Sequence, residues 1–84
     1  MKITFKLFAT LQDHLPVEAK KTNAVVLDVE PGTTPHDLIE RFSLPIKLCH
    51  LVLVDGRFIP PAERATQVLN EGETLAIWPP VAGG

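Results

Sequence analysis

A single cysteine, Cys49, leaves no pair for a disulfide within the chain and excludes a disulfide-stapled scaffold. Long apolar runs are also missing. The longest clean one, Leu51-Val52-Leu53-Val54, falls far short of the roughly 20 residues that a spanning helix needs. The opening MKITFKLFATL has some look of a signal peptide. Thr4 and Lys6 interrupt it in strict alternation, however, which suits a strand better than an apolar h-region. Positive charge is sparse: Lys and Arg number 8 against 10 acidic residues, a net of −2. The only basic pair is Lys20-Lys21, so there is no stripe for nucleic acid. These absences point to the cytoplasm, with no nucleic-acid or membrane partner.

Catalytic groups are equally thin. His14, His36 and His50 have no metal-site spacing. Cys49 and His50 are adjacent; on a strand they point to opposite faces, poor geometry for a thiol and its base. Cys49 therefore reads as a packing residue. Glu71 and Glu73 straddle Gly72 and read as a solvated turn rather than an acid/base pair. There is no P-loop, dinucleotide fingerprint or Gly-x-Ser-x-Gly elbow. The domain interior offers no active site, which directs attention to the chain ends.

What is present is the pattern of one small folded domain. The 84 residues are 45% hydrophobic, an ordinary globular fraction. Ile3, Phe5 and Leu7 alternate with Lys2, Thr4 and Lys6 across 2–8, the period of a half-buried strand. Phe8 breaks that pattern and is expected to cover a short following turn. A brief helix is expected from Ala9 to Leu15, then a polar connection over 16–23. A second strand is expected over 24–29, with Val25, Leu27 and Val29 on one face. Thr34-Pro35-His36-Asp37 is the clearest helix start: an N-cap, a proline at the first position and a shortened capping box. The helix should run over 35–43, burying Leu38, Ile39 and Phe42, and stop at Pro45. Strands follow at 49–54 and 74–78, with Asp55-Gly56 as a turn and 57–73 mostly irregular. This order predicts an α+β domain, a mixed four-stranded sheet packed on one main helix.

The chain closes Trp78-Pro79-Pro80-Val81-Ala82-Gly83-Gly84. The prolines forbid helix and favour an extended path. Six residues reach roughly 20 Å when extended, enough to enter a partner's pocket. Glycine at the tip lets a narrow channel close around bare backbone and leaves the terminal carboxylate unhindered. Two glycines at the very end arise by chance in roughly 0.5% of chains, which favours a working tail over a frayed one. The reading is a folded domain over 1–78 and a flexible tail over 79–84.

Four segments now take on a family pattern: KLFATLQD at 6–13, EPGTTPHDLIERF at 30–42, LVLVDGRF at 51–58 and LNEGETLAIWPPVAGG at 69–84. Together they resemble the MoaD/ThiS family of ubiquitin-like β-grasp sulfur carriers, most of all its molybdopterin synthase small subunits. PPVAGG is the most specific element.

The resemblance implies that a ubiquitin-activating-like adenylyltransferase uses ATP to adenylate the Gly84 carboxylate, with Gly83 beside it. A sulfur donor then displaces AMP and leaves a thiocarboxylate. The tail enters a large synthase subunit, where the sulfur goes to a pterin precursor of the molybdenum cofactor. No stably bound cofactor and no metal are implied, and the chain would be no enzyme on its own. The partner surface is expected to use Phe58, Ile59 and Trp78 with Pro79, Pro80, Val81 and Ala82; closure of the core is the alternative for Phe58 and Ile59. Two residues depart from the family's habit: Glu73 stands where aspartate is frequent, and Trp78 where a smaller residue is usual. The rival readings are a carrier for thiamine thiazole synthesis, a ubiquitin-like modifier joined to lysines, and an interaction domain with an inert tail.

Overall fold

In the computed structural model, which describes residues 1–80, the first strand, β1, spans Lys2–Leu7. Its alternation is realised: Ile3, Phe5 and Leu7 are buried, and Lys2, Thr4 and Lys6 face the other way. Burying a side chain such as Phe5 contributes on the order of 2–3 kcal/mol. The expected brief helix is a 3-10 segment, Ala9–His14, with Leu11 and Leu15 buried. The stretch read as a polar connection holds a further 3-10 turn, Val17–Ala19, which sets Ala19 in the core. Strand β2, Ala24–Asp28, pairs antiparallel with β1.

Helix α1 is Pro35–Arg41. Its capping box is complete: Thr34 Oγ1 accepts from Asp37 N–H at 3.2 Å, and Asp37 Oδ2 accepts from Thr34 N–H at 2.9 Å. Both bonds satisfy donors that a helix start leaves orphaned. The helix ends two residues earlier than expected. Ser43 takes a left-handed φ of 56°, and Leu44 N–H turns back to the Ile39 carbonyl at 2.9 Å. This closure, rather than Pro45, stops the helix. Leu38 and Ile39 are buried, and Phe42 meets Phe5 with ring centroids 4.8 Å apart.

The third strand is shorter than expected. A 3-10 turn, Ile46–Leu48, precedes it, and β3 is Leu51–Val54. Cys49 and His50 therefore lie outside the strand. Asp55-Gly56, with φ of 49° and 83°, makes a hairpin turn into β4, Arg57–Phe58. Both positive angles mark a type I′ geometry, which suits Gly56. The irregular stretch thus contains a strand, and the sheet has five strands rather than four. A 3-10 turn at Pro61–Glu63 and a loop lead to β5, Thr74–Trp78.

The sheet order is β2-β1-β5-β3-β4. The central strand, β5, runs parallel to β1 and antiparallel to β3, so the sheet is mixed. One face packs on α1 through Ile3, Phe5, Leu7, Val52, Leu75 and Ile77. The other is open, and β5 sets Pro79 and Pro80 at the middle of one sheet end. Of the expected tail over 79–84, only Pro79 and Pro80 are described; Val81, Ala82, Gly83 and Gly84 lie outside the described residues.

Candidate functional site

The root of the tail is held from both sides. Phe8 N–H donates to the Ile77 carbonyl at 3.2 Å, and His50 N–H donates to the Trp78 carbonyl at 3.1 Å. Phe8 and Trp78 stack with ring centroids 4.2 Å apart and planes 1° from parallel. Phe8 thus covers Trp78 rather than the turn after β1. Pro79 is half-buried and Pro80 exposed. A fixed strand end followed by two prolines sets the direction in which the chain leaves the sheet.

Beside this root the open face carries an apolar band. Strand register places Leu51 next to Trp78, Leu53 next to Ala76, and Phe58 next to Leu53. Partners in register share a face, so these side chains join Phe8 and Trp78 in a band across β5, β3 and β4. Phe58 is 52% exposed, while Leu51 and Leu53 are half-buried. On the β1 side the same face turns polar, with Lys2, Thr4 and Lys6.

Ile59 is not part of this band. Its side chain is 4% exposed and belongs to the core, so of the two roles open to it, closing the core is the one the structure gives. Phe58 and Ile59 are neighbours on extended chain and point to opposite sides, which separates their roles. Phe58, Trp78, Pro79 and Pro80 lie on or beside the open face.

Arg64 is the residue that motif reading missed. It is 8% exposed, and its guanidinium donates to three main-chain carbonyls: Ile59 at 3.0 Å, Cys49 at 2.7 Å and His50 at 3.2 Å. Its own carbonyl accepts from His36 N–H at 2.8 Å. Arg64 therefore ties the start of β3, the segment after β4 and the start of α1 together. Through His50 it also supports the residue that bonds to Trp78. Burial draws its pKa down, partly opposed by the Cys49 side chain. The Phe58 ring lies over it, with Cζ 5.9 Å from the centroid. A lone Arg in a loop gives no local periodicity that could reveal such a role.

The remaining titratable candidates do not assemble. Burial pushes the Cys49 thiol up, against the opposing charge of Arg64, so the nucleophilic thiolate is disfavoured. Its Sγ lies 3.5 Å from the Pro45 carbonyl, within the core. Glu71 accepts from Lys2 N–H at 3.0 Å and Glu73 from Asn70 N–H at 2.6 Å, so each carboxylate holds backbone. Among the described residues no three His, Cys, Asp or Glu side chains are placed to hold a metal ion. Among the same described residues no helix is long and apolar enough to cross a membrane.

Several solved structures share the architecture. SAMP1 from Haloferax volcanii superposes with a TM-score of 0.69 at 23% identity, covering 100% of both chains. The HVO 2177 protein of the same organism reaches 0.74 at 23% identity, over 100% of this chain and 87% of that one. A chain in the complex of subunits 1 and 2 of molybdopterin-converting factor from Helicobacter pylori gives 0.62 at 14% identity, covering 100% of both. At such identities the likeness establishes the fold, a ubiquitin-like β-grasp. No curated protein sequence matches the chain significantly. A family model does match it, over residues 5–84, nearly the full length and including Gly83 and Gly84. The chain belongs to the ThiS family.

Proposed function

We propose that this protein is a sulfur carrier for molybdopterin synthesis, working through the carboxylate of Gly84. Adenylation by a partner enzyme joins that carboxylate to the AMP of ATP and releases pyrophosphate. A sulfide-level donor, HS⁻ or its equivalent, then attacks the acyl carbon, AMP leaves, and a thiocarboxylate remains. The chain next docks on a large synthase subunit, where the thiocarboxylate sulfur bonds to a carbon of the pterin precursor as a leaving group departs from it. Water then cleaves the acyl C–S bond, which leaves the sulfur on the pterin and restores the carboxylate. A carboxylate is a poor electrophile, and the adenylate supplies the leaving group it lacks. The catalytic groups for these steps would belong to the partners, in keeping with an interior built for packing.

The observation that carries this reading is the family match through Gly83-Gly84, on a chain whose central strand ends beside an apolar band. The Helicobacter pylori structure, a complex of two molybdopterin-converting factor subunits, supports a large-subunit partner. Phe58, Trp78, Pro79 and Pro80 would meet that partner at the root, with Val81 and Ala82 lining the path inward. Apolar side chains at the middle of a docking surface commonly carry most of its affinity.

A second reading, a ubiquitin-like protein modifier, has its own support. One of the similar solved structures is SAMP1, a small archaeal modifier protein, and that chemistry also begins at a terminal carboxylate. Incubation with an adenylating enzyme, ATP and a sulfur source, followed by intact mass measurement, distinguishes the two. Replacement of one oxygen by sulfur supports the carrier, and conjugates on target lysines support the modifier. An unchanged mass with every activator sinks both. Pterin precursor with a large synthase subunit, set against a thiazole-forming acceptor, then identifies the sulfur's destination.

A further inference from the structure

β2 is an edge strand whose outer side is left open. Its pairing with β1 uses the odd-numbered residues: Val29 N–H donates to the Met1 carbonyl at 2.8 Å, and Leu7 N–H to the Asn23 carbonyl at 3.1 Å. Antiparallel alternation therefore turns the N–H and C=O groups of Ala24, Val26 and Asp28 outward. The Ala24 carbonyl accepts from Thr22 Oγ1 at 3.2 Å. Among the described residues the other outward groups have no hydrogen-bond partner.

Natural edges are usually blunted by lysine, proline, a bulge or a covering element. β2 reads Ala-Val-Val-Leu-Asp, without lysine or proline. Its register with β1 runs without a bulge from Lys2↔Asp28 to Lys6↔Ala24. At its centre Val26 is 62% exposed, one of the most exposed large apolar residues described.

We propose that this edge pairs with β2 of a second copy of the chain, antiparallel about a two-fold axis through Val26. That register alone uses every outward group. Val26 faces Val26, Ala24 faces Asp28, and each pair exchanges two main-chain hydrogen bonds. The two valines then form an apolar cross-strand pair on the open face. Charge complementarity favours a second copy over an unrelated strand. Across the joint, one row on the open face reads Lys2, Asp28, then Ala24 and Lys6 of the second copy. The Asp28 carboxylate is 74% exposed and is met on its own side by the N-terminal ammonium at 3.4 Å and by Lys2 at 3.6 Å. Lys6 of the second copy sits two strands away, roughly 10 Å at the backbone. The small Ala24 side chain between them leaves that lysine room to reach. The row occurs twice, once on each side of the axis. The joint extends the sheet through β2 and leaves the Phe8, Trp78 and Phe58 band on each copy uncovered.

An edge-only joint is small, so the dimer should be weak, with Kd on the order of 100 μM. Sedimentation equilibrium of the full chain from about 10 μM to 1 mM tests it, across the range such a Kd requires. The expected result is a mass rising from 9.2 kDa toward twice that value. Val26→Lys places two like charges opposite each other at an exposed site. It should weaken association at least tenfold while leaving the melting temperature within a few degrees. Lys6→Glu should weaken it several-fold, and more at low salt than at high. A constant 9.2 kDa up to 1 mM overturns the proposal. Undiminished self-association of the folded Val26→Lys protein overturns it too, because the copies would then meet elsewhere.

Discussion

Replacing Arg64 with alanine removes three hydrogen bonds at once, those to the carbonyls of Cys49, His50 and Ile59. A hydrogen bond from a charged donor contributes about 1.5–3 kcal/mol, and a buried carbonyl left unpaired costs about 1–3 kcal/mol. These figures do not add. Water can enter the vacated space, and the desolvation cost of the guanidinium is recovered. A net loss of about 3 kcal/mol follows, against a total of about 4–12 kcal/mol for a domain of this length. At about 2.1 cal/mol/K per residue of unfolding entropy, that lowers the melting temperature by about 17 °C. Urea unfolding followed by circular dichroism measures it, with the midpoint falling and the slope unchanged. Arg64→Lys should recover a minority of the loss, since one ammonium cannot span three carbonyls. Amide exchange at His50 should also speed up, because the Arg64 contact supports its pairing with Trp78. A loss below about 0.5 kcal/mol would refute the reasoning, being what an ordinary surface site gives.

Other changes have separable signatures. Phe58→Ala should weaken binding of the partner subunit at least tenfold while shifting stability by less than about 1 kcal/mol, since the side chain is half exposed; titration calorimetry and thermal melts read the two effects apart. Thr34→Ala removes the acceptor of Asp37 N–H and should cost about 1 kcal/mol by chemical denaturation. Asp28 has a folded pKa held below its ordinary 3.8, first by its hydrogen bond to the N-terminal ammonium and then by Lys2. The unfolded chain therefore binds its proton more tightly. The Asp28 contribution is present above pH 3.8 and lost as pH falls through the lower folded value. Asp28→Asn should flatten the stability–pH curve in that window and match the parent chain below it.

Much of the architecture was legible because it rests on local pattern. The alternation of Ile3, Phe5 and Leu7 marks β1, and Thr34-Pro35-His36-Asp37 marks the start of α1. What escaped the sequence depends on distant partners. β4 is two exposed residues, too short for any periodicity, and only its pairing with Leu53 and Val54 defines it. The early end of α1 turns on the left-handed Ser43, which a reading centred on Pro45 passes over. Phe58 and Ile59 look alike in sequence and part company only once the chain direction after the Asp55-Gly56 turn is known. Arg64 and the Phe8–Trp78 stack join segments far apart in the chain, so no spacing rule could reveal them.

The central claim concerns the carboxylate of Gly84, and the most direct measurement alters that group alone. One variant lacks Gly84 and another carries one alanine after it; each is incubated with activating enzyme, ATP and sulfur source, and weighed intact. The account predicts that the parent chain exchanges one oxygen for sulfur. Both variants should stay unchanged in mass, fail to support product formation, and melt at the parent's temperature. Thiocarboxylate formation and sulfur transfer by the alanine-extended chain at the parent's rate would contradict it.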